Sequence, residues 1–194
     1  MKYIIFILLA LFCMGCGSSR SMEFDPLAKA VPLDQYTGKT DLSRTVKPGF
    51  PFDINLMTAN NMVANSADVF GHYDKPVVLS FWLTTCAPCL REFQEMSEKY
   101  PAWKNYFRFV GISTDFEQNM PRVWEINKER QFPFEIYWDM HREFRKVLPG
   151  ALNGLPQVFV FDKNGQIAYH KKGFFTGDAE KLYEKTKEIA AASK

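Results

Sequence analysis

Cys86 and Cys89 stand two residues apart, and the segments on either side give the pair a chemical meaning. Two thiols at this spacing can exchange electrons with a disulfide or hold a soft metal ion. Before them Pro76–Leu83 is an almost continuous apolar run, the pattern of a buried central strand. After them Leu90, Phe93, Met96 and Tyr100 recur at spacings of three and four. Arg91, Glu92, Glu95, Glu98 and Lys99 fill most of the intervening positions, which predicts an amphipathic helix. The cysteines therefore fall at a helix N-terminus. Unpaired backbone N–H groups and the positive end of the helix dipole favour an anion there, so the Cys86 thiolate is expected to form below the pKa of about 8.5 of a free thiol. Cys89, one turn further in, is placed to attack a mixed disulfide on Cys86 and release the bound partner. Pro88 suits the first helical turn, where its missing N–H costs nothing, and it stiffens the loop.

The elements that must position this pair fit into one domain. The chain has 194 residues, enough for a single core with a leader and a linker. Its net charge of +2, with both signs interleaved, offers no footprint for nucleic acid and no polybasic membrane patch. The four cysteines form two groups, Cys13 with Cys16 and Cys86 with Cys89, so no disulfide scaffold is expected. Structural zinc needs about four ligands, and beyond the pair the body offers only the scattered His72, His141 and His170. Two thiolates alone can hold Cu(I), which keeps a copper-carrier reading open.

In chain order, Met1-Lys2 and the apolar Tyr3–Phe12 match the start and core of an export signal, too short to span a bilayer comfortably. Residues 17–47 mix Ser, Pro, Gly, Asp and Lys and read as a tether, with some local packing. Phe52, Ile54 and Leu56 alternate with polar residues as in a half-buried strand, Met62–Ala64 is its hairpin partner, and Ser66 is placed to cap a helical turn. Tyr106–Ile112 predicts a second apolar strand, running into Ser113-Thr114-Asp115. Asn119–Arg130 predicts a helix, and Phe132–Trp138 a third strand of the body. Asp139 is placed to cap a short helix ending before Pro149. Gln157–Phe161 and Gln166–His170 flank an Asn164-Gly165 hairpin turn. Thr176 is the expected cap of a last helix reaching about Ala192. Trp124 and Trp138 read as core, and His170 as a strand surface residue.

Phe81 through Glu92, in the order FWLTTCAPCLRE, resembles the active site of the membrane-tethered thioredoxin-like reductases of the TlpA/ResA family, and the likeness runs from about Pro48 to the C-terminus. Gly154-Leu155-Pro156 followed by an apolar strand and Asp-Lys-Asn-Gly resembles the family's cis-proline loop and final hairpin. The resemblance implies a thioredoxin-like fold over residues 48–194: a central mixed β-sheet flanked by helices, with an N-terminal β extension. It implies an exposed Cys86 and a more shielded Cys89. It also implies that Leu155 offers backbone to an extended substrate while Pro156 fixes the turn, and that Trp82, kept beneath the cysteines, belongs with Thr85 and Pro88 to the substrate-facing surround. Thioredoxin has a buried Asp where this chain has Ser80; Glu92 matches a carboxylate that several tethered relatives place near the thiols, able to take a proton from Cys89 or to raise a thiol pKa by repulsion. Thr85 departs from the Trp common just before the first cysteine, leaving a smaller, more polar surface.

Cys13-Met14-Gly15-Cys16 resembles a bacterial lipoprotein cleavage box, although Cys13 and Met14 depart from it. The resemblance implies a signal peptide over residues 1–16 and lipidation of Cys16, with stable anchoring if more than one acyl chain is attached. The expected protein is thus an extracytoplasmic, lipid-anchored thiol–disulfide oxidoreductase on the periplasmic side of a bacterial membrane. It would reduce exported disulfide-containing proteins, use the Cys86–Cys89 disulfide as its redox group without a bound cofactor, and receive electrons from a transmembrane donor of the CcdA/DsbD type. A peroxiredoxin-like peroxidase is the nearest enzymatic alternative. It usually needs a Pro and a Thr or Ser at fixed positions before its cysteine, and here Leu83 holds the nearer place.

Overall fold

The computed structural model describes residues 25–36, 50, 52–71 and 74–192. Val31–Pro32 (β1), Asn55–Met57 (β2) and Met62–Asn65 (β3) form an antiparallel N-terminal extension, with β1 on β3 and β3 on β2. Ser66–Phe70 (α1) leads to Val77–Trp82 (β4), Ala87–Trp103 (α2), Arg108–Ser113 (β5), Met120–Arg130 (α3) and Glu135–Asp139 (β6). The chain continues through the short Phe144–Val147 (α4), the hairpin of Gln157–Phe161 (β7) and Ile167–Lys172 (β8), and Asp178–Ala192 (α5). The strands lie in one mixed sheet, ordered β1-β3-β2-β6-β5-β4-β7-β8. Strands β4, β5 and β6 run parallel, and β7 is antiparallel to β4. The extension joins through the antiparallel pair β2–β6.

The continuous apolar runs are explained by cover on both faces. Alternate residues of each central strand go to opposite sides. Val78, Trp82, Phe109, Ile136, Val158 and Val160 join the core under α2, α3 and α5. Val77, Leu79, Phe81, Val110, Ile112, Phe159 and Phe161 join Phe50, Phe70 and Phe144 on the other side.

Helix α2 is set over the sheet by Phe93. Its ring lies 5.1 Å from Trp82, 5.2 Å from both Phe132 and Phe134, and 6.0 Å from Phe109, centroid to centroid. Gly111 of β5 makes room for it: a Cβ there would stand 2.7 Å from Phe93 Cζ and 2.6 Å from Ile136 Cδ1.

Several boundaries differ from the sequence expectation, each for a local reason. Val31–Pro32 lies within the segment read as tether, and Leu27 and Ala30 beside it pack on the core. Asn65, rather than Ser66, caps α1 by accepting the Ala67 N–H at 2.9 Å. Ser66 is buried and bridges Phe52 O and Ile54 N–H instead. Strand β6 starts at Glu135 because Phe132 and Phe134 turn onto Phe93. Thr176 does not cap α5. The Glu95 carboxylate, reaching across from α2, accepts the Gly177 and Ala179 N–H groups, and Asp178 accepts that of Phe175 at 2.7 Å. Leader residues, Pro48 and His72 lie outside the described residues.

Gly111→Ala should lower stability by about 1–3 kcal/mol through overpacking, because the Phe93 ring is hemmed in on every side. Urea unfolding of the oxidised protein measures it.

Candidate active site

Cys86 and Cys89 are joined in a disulfide whose Cα atoms are 5.2 Å apart. Cys86 is the N-cap residue of α2, with extended backbone, and its Sγ accepts the Cys89 N–H at 3.3 Å. Its C=O accepts the Leu90 N–H at 3.1 Å, while its own N–H donates to Leu83 O at 3.0 Å. Sulfur at an N-cap faces the unpaired amides of the first turn, which stabilise a thiolate. Cys86 is half-buried and Cys89 is fully buried, so an incoming sulfur can reach only the first of them. Thr85 is exposed, and Pro88 in the first turn of the helix is half-buried.

The loop before the cysteines is held by a residue that the sequence reading passed over. Asp115, buried just beyond β5, accepts the Thr84 N–H at 2.8 Å and hydroxyl at 2.7 Å, and the Ser113 hydroxyl at 2.8 Å. Its C=O takes the Trp138 indole N–H at 2.8 Å. The available signal was a polar trio at the carboxyl end of an apolar parallel strand, where α/β sheets gather their functional groups.

The Leu155–Pro156 peptide is cis, and its loop enters β7 beside the end of β4, where Phe81 pairs with Gln157. It therefore shares the edge of the sheet that carries the cysteines. The Gln157 amide donates to Asn153 O and Gly154 O, at 3.1 and 2.9 Å, and its Oε1 meets His170 Nε2 at 2.9 Å. Pro156 O accepts the Gly173 N–H at 2.8 Å. No hydrogen bond among the described residues engages the Leu155 amide or carbonyl, and its side chain is half-buried. An extended peptide could pair there. His170, read as a surface residue, is exposed but stacks on Phe159 with centroids 4.1 Å apart.

Trp82 does not belong to the substrate-facing surround. It is fully buried against Phe93, in the same apolar cluster as Cys89, and so supports the disulfide from below. Trp138 is core as expected, and Trp124 is half-buried with its N–H directed at Met120 Sδ.

Ser80 and Glu92, separate observations in the sequence, form one unit: the Ser80 hydroxyl donates to Glu92 Oε2 at 2.9 Å. Glu92 is only 4% exposed. Burial raises its pKa from 4.5 to about 7, partly opposed by the Ser80 hydrogen bond and the positive charge of Lys171, and assisted by Asp178 and Glu95. One turn after Cys89, this is a carboxyl able to hold or release a proton near neutrality.

A carboxyl that binds its proton more tightly in the folded than in the unfolded state makes stability fall as pH rises, here from about 4.5 to about 7. Glu92→Gln removes that penalty. Its stability relative to the parent, measured by urea unfolding of the oxidised proteins, should improve by about 2 kcal/mol between pH 5 and pH 8.

Residues 52–170, more than half of the chain, match the AhpC/TSA family. The thiol-disulfide oxidoreductase ResA of Bacillus thuringiensis subsp. konkukian is 33% identical over 118 residues, covering 59% of this chain and 64% of ResA. The sporulation thiol-disulfide oxidoreductase A of Bacillus subtilis is 29% identical over 113 residues, 57% of this chain and 66% of that protein. The chain thus spans just under two thirds of the length of the ResA relative. Among solved structures, a thioredoxin-like protein from Porphyromonas gingivalis superposes with a TM-score of 0.63 at 25% identity, over 77% of this chain and 97% of that one. StoA from Bacillus subtilis does so with a TM-score of 0.57 at 25% identity, over 72% and 99%. With its sheet order, its helix-capping Cys86 and this match across the domain, the chain belongs to the AhpC/TSA family and has a thioredoxin-like fold.

Proposed function

We propose that this protein is a thiol–disulfide oxidoreductase that reduces disulfides of exported proteins outside the cytoplasm. The observation that carries this reading is the half-buried Cys86 capping α2, bonded to a fully buried Cys89 above the Ser80–Glu92 pair. In the dithiol state the Cys86 thiolate attacks one sulfur of a substrate disulfide. A mixed disulfide forms, and the other substrate sulfur leaves as a thiolate. Cys89 passes its proton to the Glu92 carboxylate and attacks Cys86, so the second substrate thiolate leaves and takes up a proton. Two electrons have then moved from the dithiol to the substrate.

Leu155 supplies a free amide and carbonyl for the extended substrate, Pro156 and Gln157 hold that loop, and Thr85 and Pro88 border the nucleophile. Leu83, three residues before Cys86, brings no hydroxyl for a peroxidase reaction. An apolar leader ending at Gly15-Cys16 supports export and lipidation of Cys16, hence a position on the outer face of a bacterial membrane. A reductase in that oxidising compartment needs a transmembrane electron donor, of the CcdA/DsbD type.

Equilibration of the protein in thiol–disulfide buffers should give a reduction potential near the roughly −270 mV of thioredoxin or lower. A value near −120 mV, about that of a strong oxidant, would reverse the proposed direction. If no intramolecular disulfide forms, the redox reading fails and Cu(I) binding is the next titration. Cys89→Ser should trap substrates as mixed disulfides that Cys86→Ser does not form, as read on non-reducing gels. Cys16→Ser should abolish incorporation of labelled palmitate in the producing cell.

A further inference from the structure

Glu92 is buried, and one of the charges acting on it comes from the last strand of the sheet. Ser80 of β4 pairs with Val158 of β7, and Val158 pairs with Lys171 of β8. Residues opposite one another in a ladder point to the same face of the sheet. Ser80 points towards α2, because its hydroxyl reaches Glu92. Lys171 therefore lies on that face too, one strand beyond the Val158 that separates it from Ser80.

Its ammonium is held rather than free. Lys171 Nζ donates to Gly173 O at 2.8 Å and to Asp178 Oδ2, and the Lys171 side chain is 23% exposed. Asp178, itself buried, is fixed by the Phe175 N–H at 2.7 Å and by Lys181 at 3.2 Å. The groups that act on Glu92 are thus the Ser80 hydroxyl from β4, Lys171 from β8, Asp178 from α5 and Glu95 from its own helix, on which Cys89 lies one turn before it. Lys171 is the cation in that set, and the two further carboxylates both disfavour ionisation of Glu92.

We propose that Lys171, pinned by Asp178 at the edge of the sheet, is the positioning charge that governs the protonation of Glu92 and through it the proton exchange of Cys89. The inference rests on the redox reading of the Cys86–Cys89 pair and concerns a charge outside that site, two strands away from β4. When Cys89 gives up its proton during attack on Cys86, Glu92 changes from carboxylate to carboxylic acid. When a dithiol donor reduces the disulfide again, Glu92 returns that proton to Cys89 and Cys86 is left as the thiolate. Lys171 stabilises the carboxylate, the form that must be present before the attack. Without it, only the Ser80 hydrogen bond offsets burial and the charges of Asp178 and Glu95, and the acid form persists to higher pH.

The test separates this inference from the function it rests on. Glu92 is titrated by carbon-13 carboxyl NMR in the oxidised full chain, which requires no catalysis, and the pH profile of thiol–disulfide exchange is measured separately. Lys171→Met should raise the Glu92 midpoint by about one pH unit, a tenfold change in its proton equilibrium. It should move the acid limb of the exchange profile by the same amount while leaving the plateau rate in place. Lys171→Arg, which keeps the charge, should restore both. Lys171→Gln serves if the Met variant folds poorly, and is expected to shift the same way. A Glu92 midpoint unchanged in folded Lys171→Met or Lys171→Gln overturns the inference, leaving Lys171 as a tie between β8 and α5. If the parent protein lacks exchange activity altogether, the redox reading falls, and the carboxyl titration still decides whether Lys171 controls Glu92.

Discussion

The ring of Phe93 fixes the height of α2 above the sheet, and the chemistry depends on that height. Four aromatic side chains surround it and Gly111 lies beneath it, so α2 has one way to settle on β5. Cys89 is four residues before Phe93 on the same helix and Glu92 is its immediate neighbour. The packing that seats the ring thus carries the second sulfur and the carboxyl into the interior together, while the N-cap sulfur of Cys86 stays at the rim. Aromatic edge-to-face contacts suit this task, since their geometry is directional and their buried area is large.

Burial of Glu92 is a cost to the fold at neutral pH. An ionised carboxylate removed from water loses much of its solvation, and one hydroxyl from Ser80 replaces only part of it. A Gln or Leu at this position would fold more readily at neutral pH. What the carboxyl supplies is a proton affinity close to neutrality, which an exposed glutamate lacks. The same logic explains why α2 reaches across to α5. Glu95 caps the start of α5 and Asp178 fixes Lys171, so the elements that set the field around Glu92 are bonded to one another.

The central strands, the cysteine helix and the final hairpin were legible because their signals are local: unbroken apolar runs, a three-and-four spacing, an Asn-Gly turn. Cys86, Cys89 and Glu92 were legible for the same reason, sharing one helix at fixed offsets. The remainder depends on contacts between residues far apart in the chain. Nothing near Thr176 shows that Glu95, more than eighty residues earlier, caps α5. Asp115 could be seen to end a strand but not to grip Thr84. Trp82 was placed in the substrate surround by resemblance alone, and β4 turns it inward on the same face as Ser80, two residues before it. Val31–Pro32 is too short to show any periodicity, and it is a strand only because β3 offers it an edge.

Long-range closure also accounts for how the site keeps its shape while remaining open. The loops meeting at this edge are tied by bonds that cross the fold: Asp115 to Thr84, Gln157 to Gly154, Gly173 to Pro156. Each tie satisfies a backbone group that would otherwise be stranded near the core, so each loop has one favoured path. The Leu155 amide and carbonyl are left out of this accounting, while the carbonyls of Gly154 and Pro156 on either side are engaged. Backbone groups held in place without an internal partner are ready to pair with an incoming strand, and little ordering entropy remains to be lost when one arrives. Recognition through backbone rather than side-chain contacts accepts many sequences. Thr85, exposed beside Cys86, adds a small polar surface next to those open backbone groups.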